Sequence, residues 1–214
     1  MGRNPSYGLS PVSAGGQWTE TARTNIDSES TTAVTFQSVF TAGQLYRIRG
    51  YNIAASTTAV DFDARMMDGA TELSTTGAYL RENDGRGLIE SSLGVVTAGS
   101  GGSANEWNMT GLTSASDDLI ERSSRDMLGL CFQLHLFIGP TPSTDDVIVA
   151  MFGDLWGGFQ DATIDTIGTA NVNFAAYLPR TTPPDGIKFF VASDSFDFET
   201  GAYIAYDTID SAFV

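Results

Sequence analysis

The sequence predicts an all-β fold, an antiparallel β-sandwich of jelly-roll-like type with an extended N-terminal arm. Three observations predict it. Apolar residues recur with period 2 in short runs rich in β-branched and aromatic side chains, and clusters of turn formers separate those runs about every dozen residues. No stretch of useful length carries the 3.6-residue period of an amphipathic helix. Charged residues make up only 17% of the 214, and 23 residues are glycine. A chain rich in Gly, Ser and Thr in place of charge suits many strands and turns. Its length suits one domain able to bury a core without a disulfide or a metal.

Residues 1–30 differ in texture from the rest. They are rich in Gly, Ser, Pro and Thr, with Trp18 and Ile26 as the main large apolar side chains. This reads as an arm that is disordered alone or ordered against a partner, with Trp18 as its anchor. Residues 31–214 read as a single sandwich domain. Thr32–Gln37 alternates and is β-branched. Leu45–Ile53 sets Leu45, Arg47 and Arg49 against Tyr46 and Ile48, with Gly50 marking a bulge. Val60–Met66 sets Val60, Phe62 and Ala64 against Asp61, Asp63 and Arg65. Asp68-Gly69 is a turn, and Ala78–Arg81 a short strand. Glu82–Ala104 is glycine-rich and reads as a long loop with a short strand near Leu93–Thr97. Trp107–Leu112 is a further strand. Ser116–Arg125 is the best helix candidate, capped by Ser116 and with acids in its first turn. Met127–Ile138 and Val147–Trp156 are the most apolar runs, joined by the turn formers of Gly139–Asp146 into a central hairpin. Ala170–Leu178, Ile187–Ala192 and Gly201–Tyr206 complete the set, with a turn at Arg180–Gly186.

The formal net charge is -15, from 26 Asp and Glu against 11 Lys and Arg. Nucleic-acid binding relies on cations that neutralise phosphates. Here Lys188 is the sole lysine and the arginines are scattered, so no nucleic acid and no anionic membrane is expected as a partner. No run approaches a membrane span, and the first residues lack the apolar segment of a secretory signal. Synthesis in a cytoplasm without export is the expectation.

Catalytic equipment is sparse. His135 is the only histidine and Cys131 the only cysteine. They share one face of a strand about 13 Å apart, beyond the reach of a nucleophile and its base. Both read as packing residues. Asp61/Asp63, Asp145/Asp146 and Asp194/Asp197 are possible carboxylate pairs for a glycosidase, and the Asp194–Asp197 loop could offer oxygen ligands to calcium. Solvated strand faces and turns are the simpler reading of all of them. No catalytic residue and no cofactor is expected. Trp107 and Trp156 are candidate platforms for a partner or a sugar ring. Glycine follows Trp156 twice, which places that indole near a loop end.

Four phrases resemble a known group. Tyr46-Arg47-Ile48, then Ala78-Tyr79, then Asp185-Gly186-Ile187-Lys188-Phe189-Phe190, then Gly201-Ala202-Tyr203-Ile204-Ala205-Tyr206 resemble β-sandwich virion proteins of tailed bacteriophages. The likeness spans roughly residues 40–207 and departs at Tyr206-Asp207, where such modules often read Tyr-Gly. It implies a homotrimeric, non-enzymatic protein located in the virion. No heptads, shaft repeats or G-X-Y triplets are present, which favours a head decoration or cement protein over a complete tail fibre. The expected partners are other copies of the chain and the major capsid protein or a tail protein. The alternative is a tail-fibre or tail-tip module that binds a receptor or host glycan. Acids on outward strand positions and in turns would keep such a surface from clumping.

Overall fold

The computed structural model describes residues 17–28, 30–55, 62–74, 79–89, 92–94, 99–109, 129–140, 147–160, 167–191 and 198–209. These residues contain no helix and form an all-β sandwich. Its strands in chain order are β1 (Trp18–Ile26), β2 (Ala33–Phe36), β3 (Gln44–Ile53), β4 (Phe62–Asp68), β5 (Thr71–Glu72), β6 (Tyr79–Ile89) and β7 (Ser92–Gly94). There follow β8 (Gly99–Ala104), β9 (Trp107–Asn108), β10 (Leu130–Ile138), β11 (Val147–Gln160), β12 (Ile167–Arg180), β13 (Gly186–Val191) and β14 (Ala202–Ile209).

Two antiparallel sheets pack face to face. The larger runs β1-β14-β3-β10-β11-β12-β6-β7, with β8 also on β6; the smaller runs β2-β13-β4-β5, with β9 also on β4. The expected central hairpin is β10–β11, paired from Cys131 opposite Trp156 to Ile138 opposite Val149. Period 2 settles which side chains enter the core. Leu130, Phe132, Leu134, Leu136 and Ile138 of β10 are all buried, as are Ile48 and Ile53 of β3 and Phe62, Ala64 and Met66 of β4.

Rings fill much of the space between the sheets. Phe62, Phe132, Phe189 and Phe198 form one cluster, with centroids 5.7–6.1 Å apart. Phe36, Phe40, Tyr46 and Tyr206 form another. Each such ring pair contributes about 0.5–1.5 kcal/mol beyond the area it buries.

The recurrent phrases acquire physical roles here. The Tyr79 hydroxyl, on β6 of the large sheet, accepts from Met66 N (3.0 Å) and donates to Leu73 O (2.7 Å), so it ties the two sheets. Trp107 meets Tyr79 edge-on at 5.3 Å and donates its indole N–H to Tyr177 O of β12. Asp185 organises the turn before β13: its carbonyl accepts from Val39 N and Phe40 N, and its carboxylate accepts from Gly69 N. Gly186 follows because a Cβ there would lie 2.6 Å from Phe36 O.

Gly50 sits beside a bulge, as expected, although its own role is different. The extra residue falls at Tyr51-Asn52, between the pairs Phe132–Gly50 and Leu130–Ile53. Asn52 takes φ 53° and its side chain accepts from Gly129 N. Gly50 itself makes room for a ring: a Cβ would lie 2.1 Å from Phe132 Cε1.

Three expectations change. Residues 18–26, taken into the arm, form the edge strand β1, paired along β14 from Trp18 opposite Ile209 to Ile26 opposite Ala202. The glycine-rich stretch over Glu82–Ala104, read mainly as loop, contributes most of β6 and all of β7 and β8. Backbone ladders need no side chains, so glycine runs can pair where a neighbour such as β12 offers an edge. Gly157-Gly158 does not end a strand after Trp156, because β11 continues to Gln160. The helix candidate Ser116–Arg125 lies outside the described residues, as do residues 1–16 of the expected arm.

Candidate functional site

The outward face of the large sheet carries the side chains that are out of phase with the core. Three adjacent rows can be followed across it. One runs Glu20, Asp207, Arg47, His135, Phe152, Ala175; the next runs Arg23, Ala205, Arg49, Gln133, Asp154, Asn173. The third runs Asn25, Tyr203, Tyr51, across the bulge to Cys131, then Trp156 and Asn171.

Among the described side chains, charge is concentrated at the β1 side of these rows. Asp207 is fully buried. Its Oδ2 accepts from Arg47 Nε (2.5 Å) and Arg49 Nε (2.9 Å), and its Oδ1 accepts from Arg49 Nη2 (2.7 Å). Arg49 Nη2 also donates to Glu20 (2.7 Å), which holds Arg23 in a two-pronged pair. The hydrogen bond from Arg23, helped by that from Arg49, holds the Glu20 carboxyl below the usual carboxylate range. Glu20 therefore stays ionised at neutral pH.

Rings stand on either side of this network. Trp18 lies 5.6 Å from His135 with Arg47 over its ring at 5.1 Å, and His135 stacks on Phe152 at 5.5 Å. Burial, with Arg47 nearby, holds the His135 imidazole below its ordinary pKa. Tyr51 and Tyr203 stack at 5.7 Å, and Arg23 covers Tyr203 at 4.1 Å. A cleft of about 250 Å³ opens beside this pair, lined by Arg49, Gly50, Tyr51, Cys131, Phe132, Gln133, Trp156 and Tyr203. It exists because a small residue, Cys131, stands in the row between Tyr51 and Trp156.

Beyond the first row, at the Ile138 end of β10, the face carries an apolar patch. Phe152 (46% exposed), Ile148 (50%) and Leu80 (42%) surround the partly covered Phe137, Ala150 and Tyr177 on four adjacent strands. In soluble proteins, contiguous apolar patches of this kind mark contact surfaces.

The sequence-predicted residues divide sharply. Trp156 is 40% exposed and forms one wall of the cleft. Trp18 is half-buried on the chain's own sheet, against His135 and Arg47. Trp107 is fully buried and cannot serve as a platform; it packs the sandwich edge. Cys131 and His135 lie on one face of β10 with Gln133 between them, and Cys131 is buried at the cleft floor. Asp63, expected on a solvated face, is buried. Asp61, Asp145, Asp146, Asp194 and Asp197 lie outside the described residues. Among the described residues no group of three or more His, Cys, Asp or Glu is placed to hold a metal. Sequence reasoning missed Tyr51, Tyr203, Ile148 and Phe152. Parity carried a signal for one of them, since Tyr51 follows Leu45, Arg47 and Arg49 in phase.

The opposite face, on the small sheet, is different in kind. Arg65 pairs with Glu72 and Glu106, Lys188 pairs with Glu72, and both cations lie over the buried Phe190. Burial works to raise the Glu72 carboxyl, but hydrogen bonds from Lys188 and Arg65 outweigh it and hold it low.

No family model, curated protein or solved structure matches the chain.

Proposed function

We propose that this chain is a non-catalytic structural protein of a tailed-bacteriophage virion. In this reading it is a homotrimeric decoration or cement protein on the head. It is made in the host cytoplasm, and the residues ahead of β1 anchor it to the major capsid protein. The observation that carries the reading is the apolar patch on the large sheet, centred on Ala150 and ringed by Phe152, Ile148 and Leu80. A second copy is its natural cover, since many modest contacts between identical subunits add through multivalency. Support also comes from the four virion-like phrases, whose residues Tyr46, Tyr79, Asp185 and Tyr206 hold the sandwich together.

The test has two parts. Light scattering on the purified chain should give three times the mass of one copy, and an Ile148→Ser/Phe152→Ser variant should give one copy while keeping the far-ultraviolet spectrum of strands. Mass spectrometry of purified virions from the phage that encodes the chain should detect it. A monomeric wild type, or virions lacking the chain, overturns the proposal.

A further inference from the structure

We infer that the cleft between Tyr51 and Trp156 is a binding site for one neutral pyranose residue of a polysaccharide. The inference is independent of where the protein resides and uses a different part of the face from the apolar patch. Three observations carry it.

The first is shape. Tyr51 on β3 and Trp156 on β11 are separated by two strand spacings, about 9.5 Å, with Cys131 of β10 between them. One face of Tyr51 is occupied by Tyr203. Both rings line the cleft. The volume of about 250 Å³ lies below the ~300–1,000 Å³ of drug-sized pockets, so it suits one ring rather than several.

The second is the chemistry of the rim. Gln133, Asp154 and Asn171 are exposed on the same face: Asn171 directly opposite Trp156, Gln133 diagonal to it, and Asp154 two residues before it on β11. Amides and a carboxylate can donate to and accept from vicinal hydroxyls, while aromatic faces, which are electron-rich, attract the C–H faces of a saturated ring. A purely apolar occupant would leave these three groups without a role.

The third is charge. Arg49, the cation in the cleft lining, is committed to Asp207 and Glu20, and Arg47 to Asp207. Arg23 is committed to Glu20. With Asp154 at the rim, these three arginines face three carboxylates, so an acidic sugar finds no free cation among the described side chains. This selects a neutral residue.

The experiment is affinity electrophoresis of the full chain in native gels cast with dextran, glucomannan or galactan, and with polygalacturonate as the acidic comparison. Retardation is expected in at least one neutral gel and not in polygalacturonate. Trp156→Ala, which removes a wall, and Cys131→Met, which fills the gap, should each reduce that retardation at least fivefold. Urea midpoints of both variants establish that they fold; Trp156 is exposed, so its variant keeps the stability of the wild type. The inference is overturned by no retardation in any neutral gel, by retardation in polygalacturonate alone, or by retardation that survives Trp156→Ala. It is equally overturned if Trp156→Ala alters the mass by light scattering, which would make the cleft a subunit contact.

Discussion

Arg49 and Asp207 face each other through two parallel hydrogen bonds of 2.9 and 2.7 Å, across neighbouring strands, with the carboxylate fully buried. Two arginines of β3 converge on that aspartate. Replacing Asp207 by Ala leaves both guanidinium groups beside an empty acceptor. The expected loss is about 2–4 kcal/mol, less than for a deeply buried pair because both arginines keep some contact with water. Urea unfolding of Asp207→Ala measures it, and a loss under ~0.5 kcal/mol would contradict the pairing as a stabilising element.

Tyr79→Phe removes one oxygen and strands a buried amide of β4 and a carbonyl at Leu73. The cost expected is about 1–3 kcal/mol, read from the chemical-denaturation midpoint. The variant should also loosen the packing of Trp107, visible as a red shift of its emission.

Gly50→Ala forces a methyl into the Phe132 ring. A destabilisation of about 1–3 kcal/mol is expected from overpacking. Phe132→Leu added to it should recover part of the loss, although the same change alone is harmful. Absence of that rescue would show that backbone conformation, not the ring, demands glycine.

The two tryptophans singled out from sequence should behave in opposite ways. Trp107→Ala is expected to cost about 3–5 kcal/mol, the range for emptying a large core site. Trp156→Ala should change stability by less than ~0.5 kcal/mol, as surface changes do. Differential scanning calorimetry of the pair checks both values.

Acid sensitivity follows from Glu72. Its carboxyl is held below the ordinary 4.5 in the folded chain. A depressed carboxyl contributes stability above its unfolded pKa and loses it as pH falls through the folded value. Stability should therefore fall below about pH 4.5, and Glu72→Gln should flatten that part of the profile. His135 is also held low, so the unfolded chain takes up its proton first; stability should begin to fall below its ordinary 6.5. His135→Phe should remove that earlier slope in melting temperature against pH.

Legibility in the sequence followed the strength of alternation. The β3 and β10 segments carry a clean period of 2 that places Ile48 and the Leu130, Phe132, Leu134, Leu136 and Ile138 set in the core; in β4 Phe62, Ala64 and Met66 are buried as parity predicts, but Asp63 and Met67 of the other phase are buried as well. The β1 segment does not: WTETARTNI is mostly polar on both faces, because an edge strand leaves much of itself in water. The β11 run was legible as a strand but not as two faces, since Val149 and Met151 are core while Ile148, Phe152 and Trp156 point out, all of them apolar. The cleft was illegible because its walls come from three strands and its floor depends on what Cys131 lacks in size.

The pairing of Trp18 with Ile209 brings the first and last described strands together at the same end of an antiparallel ladder. A pull applied through the chain before Trp18 and after Ile209 therefore acts as on a zipper. It loads one pair of hydrogen bonds at a time, beginning at that corner, rather than shearing the whole ladder at once. The sheet's mechanical weak point lies at that corner, away from the core. A tether at either end would peel β1 before it disturbed the rings between the sheets.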